Sequence, residues 1–162
     1  MGKKTPHVSE TPATRLLRRA GVAFSEHVYD YVERGGTSES ARQLGVDEHS
    51  VVKTLVMQDD QARPLIVLMH GDREVSTKSL ARALAVKSVE PCTAGVAERA
   101  SGYQLGGTSP FATRKAMPVY VEATILALER IHLNGGRRGY LIGIAPQVLV
   151  DVLGALPVNC AL

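Results

Sequence analysis

The segment 102–115, with the sequence GYQLGGTSPFATRK, places three glycines, several hydroxyl side chains and two cations within one short stretch. Glycine reaches positive φ without strain and lets a ligand approach the main chain closely. Pro110 fixes its own φ and keeps Ser109 extended, which predicts a rigid loop with exposed N–H donors. Such a loop suits an anionic or polarised oxygen. Its spacing matches neither the P-loop nor the dinucleotide fingerprint, so nucleoside triphosphates and NAD are not the predicted ligands.

A lysine interrupts an otherwise apolar strand in the segment 51–57, VVKTLVM. Lysine is rarely buried unless it is paired or directed into a cavity. Two interpretations of Lys53 remain open from this segment. It is either an edge-strand lysine that opposes aggregation, or a functional cation in a pocket.

Histidine and serine form no recognisable catalytic pair. His27 shares the polar and aromatic side of the alternating segment 22–32 with Tyr29, whereas the other histidines lack the spacing of metal ligands. Ser109 lacks the Gly-x-Ser-x-Gly turn of an α/β-hydrolase. We therefore expect no metal, no other cofactor and no Ser-His-Asp triad.

The composition predicts one domain with a full core. The chain has 162 residues, 44% of them hydrophobic and 22% charged, and we expect a flexible arm at 1–10 and a single domain at 11–162. The net charge of +3 is compatible with a polyanionic partner without selecting one. Cys92 and Cys160 form no Cys-x-x-Cys motif, which favours a reduced, cytoplasmic protein. Because the sequence has neither a secretory h-region nor about 18 consecutive apolar residues, we expect no membrane association. A monomer is the expected state.

Periodicity predicts a mixed α/β fold. Thr11 and Pro12 open a first helix that ends at Gly21. The exposed side of that helix carries several arginines, which form either a solvated surface or a phosphate-contacting one. The segment 134–139 predicts a hairpin turn. Predicted strands lie at 22–32, 51–57, 64–70, 118–128 and 140–144, and further helices begin near residues 37, 76, 93 and 145.

Five motifs occur in order along most of the chain. They are Thr11-Pro12-Ala13 with Leu16-Leu17, His27-Val28-Tyr29, Val52-Lys53-Thr54-Leu55, Gly102-Tyr103 with Gly106-Gly107-Thr108-Ser109-Pro110 and Pro118, and Gly135-Gly136-Arg137-Arg138-Gly139. In this order the chain resembles the YbaK family of aminoacyl-tRNA deacylases, which is similar to the editing domain of bacterial prolyl-tRNA synthetases. The resemblance implies an α/β (α+β) domain with a mixed, mostly antiparallel, β-barrel-like sheet surrounded by short helices.

The resemblance also implies roles for individual residues. Lys53 matches the family's functional lysine, which favours the pocket interpretation, and Gly107 and Ser109 match the loop that holds the ester oxygen as it becomes an oxyanion. These three are the predicted catalytic residues. The predicted substrate-binding residues are Tyr29, Thr54, Gly106, Thr108, Pro110 and Arg138.

Two positions depart from the family pattern. Leu141 follows the Gly-Gly-basic-Arg-Gly segment, where cysteine-specific relatives commonly carry an acidic residue close by, and Ala112 replaces a frequent glycine. Leu141 makes the predicted pocket more apolar and bears on which aminoacyl group fits. Apolar pockets separate side chains that differ by one methylene by only about 10- to 200-fold.

The predicted function is hydrolysis of the ester of mischarged aminoacyl-tRNA, with Cys-tRNA(Pro) as the leading substrate and Cys-tRNA(Cys) and Ala-tRNA(Pro) as others. The implied mechanism is substrate-assisted attack beside a backbone oxyanion hole, without a protein nucleophile. The alternatives are a non-catalytic module that binds tRNA or a synthetase, and a regulator that binds a small molecule or nucleotide. The implied partners are the 3′ end of aminoacyl-tRNA and, to supply tRNA identity, prolyl-tRNA synthetase.

Overall fold

A computed structural model describes residues 10–162, which form five helices and eight strands. The predicted arm at 1–10 lies almost wholly outside the described residues. The helices are α1 (Pro12–Arg19), α2 (Gly36–Leu44), α3 (Thr77–Leu84), α4 (Ala94–Ser101) and α5 (Gln147–Leu153). The strands are β1 (Ser25–Val28), β2 (Val51–Asp59), β3 (Pro64–His70), β4 (Val89–Pro91), β5 (Val119–Glu122), β6 (Ile131–Arg137), β7 (Tyr140–Ile144) and β8 (Leu156–Val158).

All eight strands belong to one mixed sheet. The strand order is β1-β7-β6-β2-β3-β5-β8, and β4 pairs with β2. The β1/β7, β6/β7, β2/β3 and β2/β4 pairs are antiparallel, whereas β2/β6, β3/β5 and β5/β8 are parallel. The hydrogen-bonded path runs from β1 to β8, and in the described part of the chain these two end strands do not pair with each other. Within the same residues, no helix is long and apolar enough to cross a bilayer.

The central strand β2 has one edge that is only partly paired. β3 pairs with β2 from Val52 to Gln58 along one edge. On the other edge, β6 pairs only at Val51 and Val52, and β4 pairs only from Met57 to Asp59. An interval of β2 that includes Lys53 therefore lacks a neighbouring strand on that side.

Helices cover both faces of the sheet. Val52 and Val56 face the main apolar core, which also contains Leu17 of α1 and Leu149 of α5. Alternate residues of β2 point to the opposite face, because successive side chains of a strand alternate. There, Ala41 of α2 packs with Val51 and Leu141, and Leu80 of α3 packs with Met57. Lys53 shares this face and lies in sequence between the β2 residues that the two helices cover.

Several predicted elements are confirmed at their boundaries. Thr11 caps α1 in a capping box with Thr14, Ser76 caps α3 by accepting from the Ser79 N–H, and Gly45 ends α2 in the left-handed conformation. Two strands are shorter than predicted: the segment 22–32 forms only the four residues of β1, and 118–128 forms β5 followed by a 3₁₀ helix over Ala123–Ala127. The strands β4, β6 and β8 lie in segments where no strand was predicted.

The predicted hairpin joins β6 and β7, and its turn occupies Arg138 and Gly139, at the end of the expected segment 134–139. β6 continues to Arg137. The first glycine of this segment is needed for packing rather than for the turn, because a Cβ on Gly135 would stand 2.5 Å from the Tyr140 ring. The carbonyl of Gly135 accepts from Thr11 Oγ1 at 2.6 Å, which ties the start of α1 to this hairpin. Two strand segments and a helix cap therefore meet at one glycine.

Two histidines and an arginine form a cluster where β1, β6 and β7 meet. The rings of His27 and His132 meet edge to face with centroids 4.9 Å apart, and Ser25 Oγ lies 2.7 Å from His27 Nε2. Arg130 donates to Ser25 and to the Gly143 carbonyl. Burial, followed by the Arg130 charge, lowers the pKa of His27. Burial, followed by the charges of His27 and Arg130, lowers the pKa of His132.

This cluster predicts that the free energy of unfolding falls as the pH decreases from 7 toward 5. The unfolded chain takes up protons at the ordinary histidine pKa of 6.5, whereas the folded chain does so only at lower pH, so acid favours unfolding in this window. The double variant His27→Gln/His132→Gln should show a flatter dependence in urea unfolding experiments over this range. The free energies of unfolding of wild type and variant should change in parallel between pH 7.5 and 9, above the range in which His27 and His132 take up protons. Equal slopes between pH 7 and 5 would contradict the assignment.

Candidate active site

A cavity of about 390 Å³ opens on the sheet face that carries Lys53. It lies beside the interval of β2 that has no strand neighbour, and the glycine-rich loop forms its opposite side. The lining residues come from the chain after β1, from α2, from β2, from the loop, and from β6 and β7. They are Tyr29, Tyr31, Val32, Arg34, Gly36, Thr37, Glu39, Ser40, Val51, Val52, Lys53, Thr54, Leu55, Leu105, Gly106, Thr108, Asn134 and Leu141.

The ammonium of Lys53 is held at the cavity by the segment that follows β3. Lys53 Nζ donates to the Arg73 carbonyl at 2.6 Å and lies 3.5 Å from a Glu74 carboxylate oxygen. The Lys53 side chain is 20% exposed, whereas that of Glu74 is 82% exposed. An ammonium has three N–H donors, so at least one remains for a ligand after these two contacts. The structure thus combines a lysine in a pocket with partners that fix its position.

The segment 71–76 that supplies the Arg73 carbonyl is itself held at both ends. At its start, the Gly71 N–H donates to the Val51 carbonyl at 2.6 Å, and Thr37 Oγ1 donates to the Gly71 carbonyl. At its other end, Ser76 N–H donates to the Cys160 carbonyl at 2.7 Å. The hydrogen bond from the Lys53 ammonium to this carbonyl is charge-assisted, and its acceptor belongs to a segment that is fixed at both ends.

The buried carboxylate of Glu122 holds the residues against which the segment 71–76 packs. One oxygen of Glu122 accepts from the N–H groups of Cys160 and Ala161, at 2.9 and 3.1 Å, and the other accepts from the N–H and hydroxyl of Thr124. Burial alone would raise the pKa of Glu122, but these four hydrogen bonds offset it and leave the pKa lowered. The hydroxyl of Thr124 also lies 2.7 Å from Nε2 of the buried His70. Glu122 therefore anchors residues 160–161, which in turn pair with the segment 71–76.

The glycine-rich loop is fixed by hydrogen bonds from the β6–β7 hairpin. Arg138 Nε donates to the Leu105 carbonyl at 2.8 Å, and Asn134 Nδ2 donates to the Gly106 carbonyl at 3.1 Å. Because the C=O and N–H of a trans peptide point in opposite directions, the Gly106 N–H is directed away from Arg138. Within residues 10–162 the N–H groups of Gly106 and Thr108 donate to no backbone or side-chain acceptor. Both residues line the cavity, so their unpaired N–H groups are the candidate donors of the loop to a ligand.

Gly107 and Ser109, which the sequence predicted to be catalytic, lie behind this lining. The Gly107 N–H donates to the Gln104 carbonyl at 2.8 Å, and a Cβ on Gly107 would stand 2.8 Å from the backbone of Arg137. Ser109 is fully buried and its Oγ accepts from the Phe111 N–H. The neighbouring Pro110 is also buried. These residues shape the loop rather than present groups to the cavity.

Tyr31 and Arg34 also line the cavity, although neither was a predicted site residue. The Tyr31 ring packs on Gly106, where an added Cβ would lie 2.8 Å from the tyrosine hydroxyl. Arg138, predicted to bind substrate, instead stacks on this ring with its guanidinium 4.8 Å from the centroid. Arg34 has a positive φ of 62° and brings a second cation to the cavity. The alternation of aromatic residues after β1 was the available signal for Tyr31.

The apolar part of the cavity includes Tyr29 and Leu141. Both pack with Val51 and with Ala41 of α2. Burial, opposed by a backbone hydrogen bond at Gly139, raises the pKa of Tyr29, so its hydroxyl stays protonated at neutral pH. Tyr29 thus combines an apolar ring with a polar tip among the residues that line the cavity.

Thr54 has a buried hydroxyl without a partner. Its Oγ1 is inaccessible to solvent, and in the described part of the chain no donor or acceptor pairs with it. A buried polar group in this state costs about 1–3 kcal/mol relative to a paired one. Thr54 is also among the residues that line the cavity.

A second group of titratable side chains lies near the start of β2 and the end of β3. His49, His70 and Asp72 place possible metal-ligand atoms within 4.8 Å of one another. The two imidazoles stack face to face at 3.7 Å, His49 Nδ1 is bound to Asp72, and both ring nitrogens of His70 are hydrogen-bonded. With these nitrogens already engaged, the cluster cross-links the segments around Val51 and Gly71.

Comparison with known proteins agrees with this geometry. The sequence-family model of the aminoacyl-tRNA editing domain matches residues 34–152 of this chain. EbsC of Enterococcus faecalis, provisionally named a Cys-tRNA(Pro)/Cys-tRNA(Cys) deacylase, is 30% identical over 93% of this chain and 91% of its own. The proline–tRNA ligase of Limosilactobacillus reuteri is 26% identical over 63% of this chain, a region covering 18% of the ligase. A crystal structure provisionally described as a trans-editing enzyme for prolyl-tRNA synthetase has a TM-score of 0.79 at 18% identity, with 95% and 99% of the two chains covered. The chain therefore belongs to the aminoacyl-tRNA editing domain family.

Proposed function

We propose that this protein is a trans-editing hydrolase that cleaves the ester of mischarged aminoacyl-tRNA, with Cys-tRNA(Pro) as its leading substrate. The observation that carries the proposal is the pairing of two features across one cavity. Lys53 presents an ammonium that is fixed by the Arg73 carbonyl, and the loop opposite presents two N–H groups without acceptors. Together they offer positive charge and backbone donors to an oxygen bound between them.

In this proposal the loop and the lysine have separate tasks. The N–H groups of Gly106 and Thr108 hold the ester carbonyl oxygen as it becomes an oxyanion, in place of the Gly107 N–H, which the loop itself uses. Lys53 binds the terminal adenosine or its phosphate and stabilises charge at the ester. Gly107, Ser109 and Pro110 act through the shape of the loop, and Arg138 holds its Leu105 carbonyl. Thr54 is kept as a substrate-binding residue because it lines the cavity and its hydroxyl has no partner in the described part of the chain.

The site needs no protein nucleophile in this scheme. With a cysteinyl ester, the substrate sulfur attacks its own carbonyl carbon, the bond to the ribose oxygen breaks, and the thiol proton ends on that oxygen. Water then opens the cyclic thioester that has formed and gives free cysteine. With another aminoacyl group, a bound water attacks instead. Orientation of reacting groups alone contributes up to about 7–11 kcal/mol when the geometry is ideal. Cys92 and Cys160 take no part, because neither lines the cavity and burial raises the pKa of both thiols.

The apolar side of the cavity bears on which aminoacyl group fits. Leu141 and Val51 line it together with Tyr29, and this surface accepts a small, weakly polar side chain such as that of cysteine or alanine. Because such surfaces discriminate weakly, Ala-tRNA(Pro) is the second candidate substrate. We further propose that the protein acts in the cytoplasm as a monomer, with prolyl-tRNA synthetase supplying tRNA identity.

A non-catalytic tRNA-binding or synthetase-binding module is the competing function. Such a module does not need backbone donors that are preorganised to hold an oxyanion. The two functions differ in whether Lys53 is needed for ester cleavage or only for binding.

Replacement of Lys53 by alanine should lower the rate of deacylation by at least about 100-fold, because it removes the charge that faces the ester. The measurement is single-turnover deacylation of Cys-tRNA(Pro), Cys-tRNA(Cys), Ala-tRNA(Pro) and Pro-tRNA(Pro). Lys78→Ala, which changes a lysine that lies outside the cavity, is the matched control. Urea unfolding of Lys53→Ala should give a midpoint close to that of the wild type. A Lys53→Ala variant that is folded and fully active would overturn the proposal, as would a wild-type protein that cleaves none of the four esters.

Replacement of Thr54 by valine tests the unpaired hydroxyl. Valine has the same shape without the polar group, so the free energy of unfolding should stay equal or rise by up to about 1 kcal/mol. If the hydroxyl contacts the substrate, KM for the aminoacyl-tRNA should rise several-fold at the same time. A loss of stability would show that the hydroxyl is paired in the free protein. An unchanged KM would remove Thr54 from the binding residues.

A further inference from the structure

A second cleft, of about 370 Å³, lies between α1 and the glycine-rich loop. Its lining comes from one side of α1 and from the loop, and consists of Pro12, Arg15, Leu16, Arg19 and Ala112. Arg15 and Arg19 are four residues apart, so they project from the same side of the helix. Both are exposed. The cleft therefore presents two neighbouring guanidinium groups to solvent.

Nothing in the described part of the chain neutralises these two arginines. The carboxylates near α1 are engaged elsewhere: Glu10 and Glu26 lie 3.1 and 3.6 Å from the guanidinium of Arg18. Arg18 also stacks on the Phe24 ring. Neither Arg15 nor Arg19 forms an ion pair with any residue between 10 and 162. On α1, therefore, Arg18 is neutralised by carboxylates of the protein, whereas Arg15 and Arg19 remain available to bind an anion.

Two further cations extend the charge along the loop. Arg114 and Lys115 follow Ala112 in sequence and are exposed. Their N–H groups donate to the carbonyls of Ser101 and Ala100 at the end of α4, which fixes the backbone that carries them. We call Arg15, Arg19, Arg114 and Lys115 the basic face. Together these four residues carry four positive charges, against a net charge of +3 for the whole chain.

The basic face and the cavity are separated by a few residues of one loop. Thr108 lines the cavity and Ala112 lines the cleft. Four residues span at most about 14 Å when fully extended, so the two openings lie within the length of a few nucleotides. The connecting turn is tightly held, since Tyr103 OH donates to the Phe111 carbonyl at 2.6 Å. Ala112 adopts a positive φ of 57°, unusual for a residue other than glycine.

We propose that the basic face binds the phosphate backbone of RNA, and that it thereby directs a 3′ end into the cavity beside Lys53. The inference rests on the proposed function, because the RNA meant is the one whose aminoacylated end is cleaved. Unpaired guanidinium groups beside a rigid backbone bind phosphate oxygens and release counterions. The binding is independent of base sequence, since no base-reading geometry is needed for phosphate contacts.

The first test measures binding without any chemistry. The probe is a fluorescein-labelled RNA minihelix made of an acceptor stem with a single-stranded CCA end, followed by anisotropy between 50 and 200 mM salt. Arg15→Gln/Arg19→Gln should bind it about tenfold more weakly at low salt, and the slope of log K against log salt should fall by about 1 to 2. The matched control is Arg18→Gln/Arg82→Gln, which removes the same charge from an arginine bound within the protein and from one on α3. Its affinity should stay within twofold of the wild type.

The second test separates this face from the active site. The basic-face variant should lose about tenfold in kcat/KM on full-length aminoacyl-tRNA and keep wild-type activity on an aminoacyl-adenosine ester, which carries no backbone phosphates. Equal losses on both substrates would overturn the proposal, as would equal weakening by the control variant. Competition by polyglutamate as strong as by the minihelix would assign the face to an acidic protein instead. Binding of the minihelix needs no hydrolysis. If the protein failed to cleave any aminoacyl ester, the anisotropy measurement would therefore still test whether the basic face binds RNA.

Discussion

A positive charge on a central strand of a sheet needs partners, and the arrangement around Lys53 follows from this requirement. The edge of β2 that carries Lys53 has strand neighbours only at its two ends, which leaves room for a cavity. The ammonium is satisfied by the Arg73 carbonyl. That carbonyl belongs to a segment that is tied to β2 at Gly71 and to residues 160–161 at Ser76. A buried carboxylate, Glu122, completes the support with two hydrogen bonds to the backbone.

The opposite side of the cavity depends on close contact between two backbones. Gly107 approaches the backbone of Arg137 so closely that no larger residue fits, and Gly106 is covered by the Tyr31 ring. Side chains of the β6–β7 hairpin take up the loop carbonyls, which leaves the loop N–H groups as donors. The glycines thus have a packing role as well as a conformational one. The same loop continues to Ala112, so the cavity and the basic face share one rigid element.

The elements that local signals specify strongly were predictable. A capping threonine with proline marked α1, a capping serine marked α3, and a continuous apolar run marked β3. The short strands β4 and β8 were not predictable, because three residues carry no periodicity and pair only where other strands offer an edge. The strand expected at 118–128 was cut short because the Glu122 side chain caps a 3₁₀ helix by accepting from the Thr124 N–H.

By itself, the sequence determined which residue types meet at the site. The motif order indicated the family, and Lys53, Tyr29 and the loop at Gly106 and Thr108 all line the cavity. Only the tertiary structure decided which groups are free to act. The Gly107 N–H donates to the Gln104 carbonyl, and Ser109 is fully buried. The guanidinium of Arg138 donates to the Leu105 carbonyl of the loop and does not line the cavity. Hydrogen bonds of this kind join residues distant in sequence or depend on the exact course of a loop. Local pattern carries no information about them, because a donor's availability depends on every acceptor that folding brings within reach.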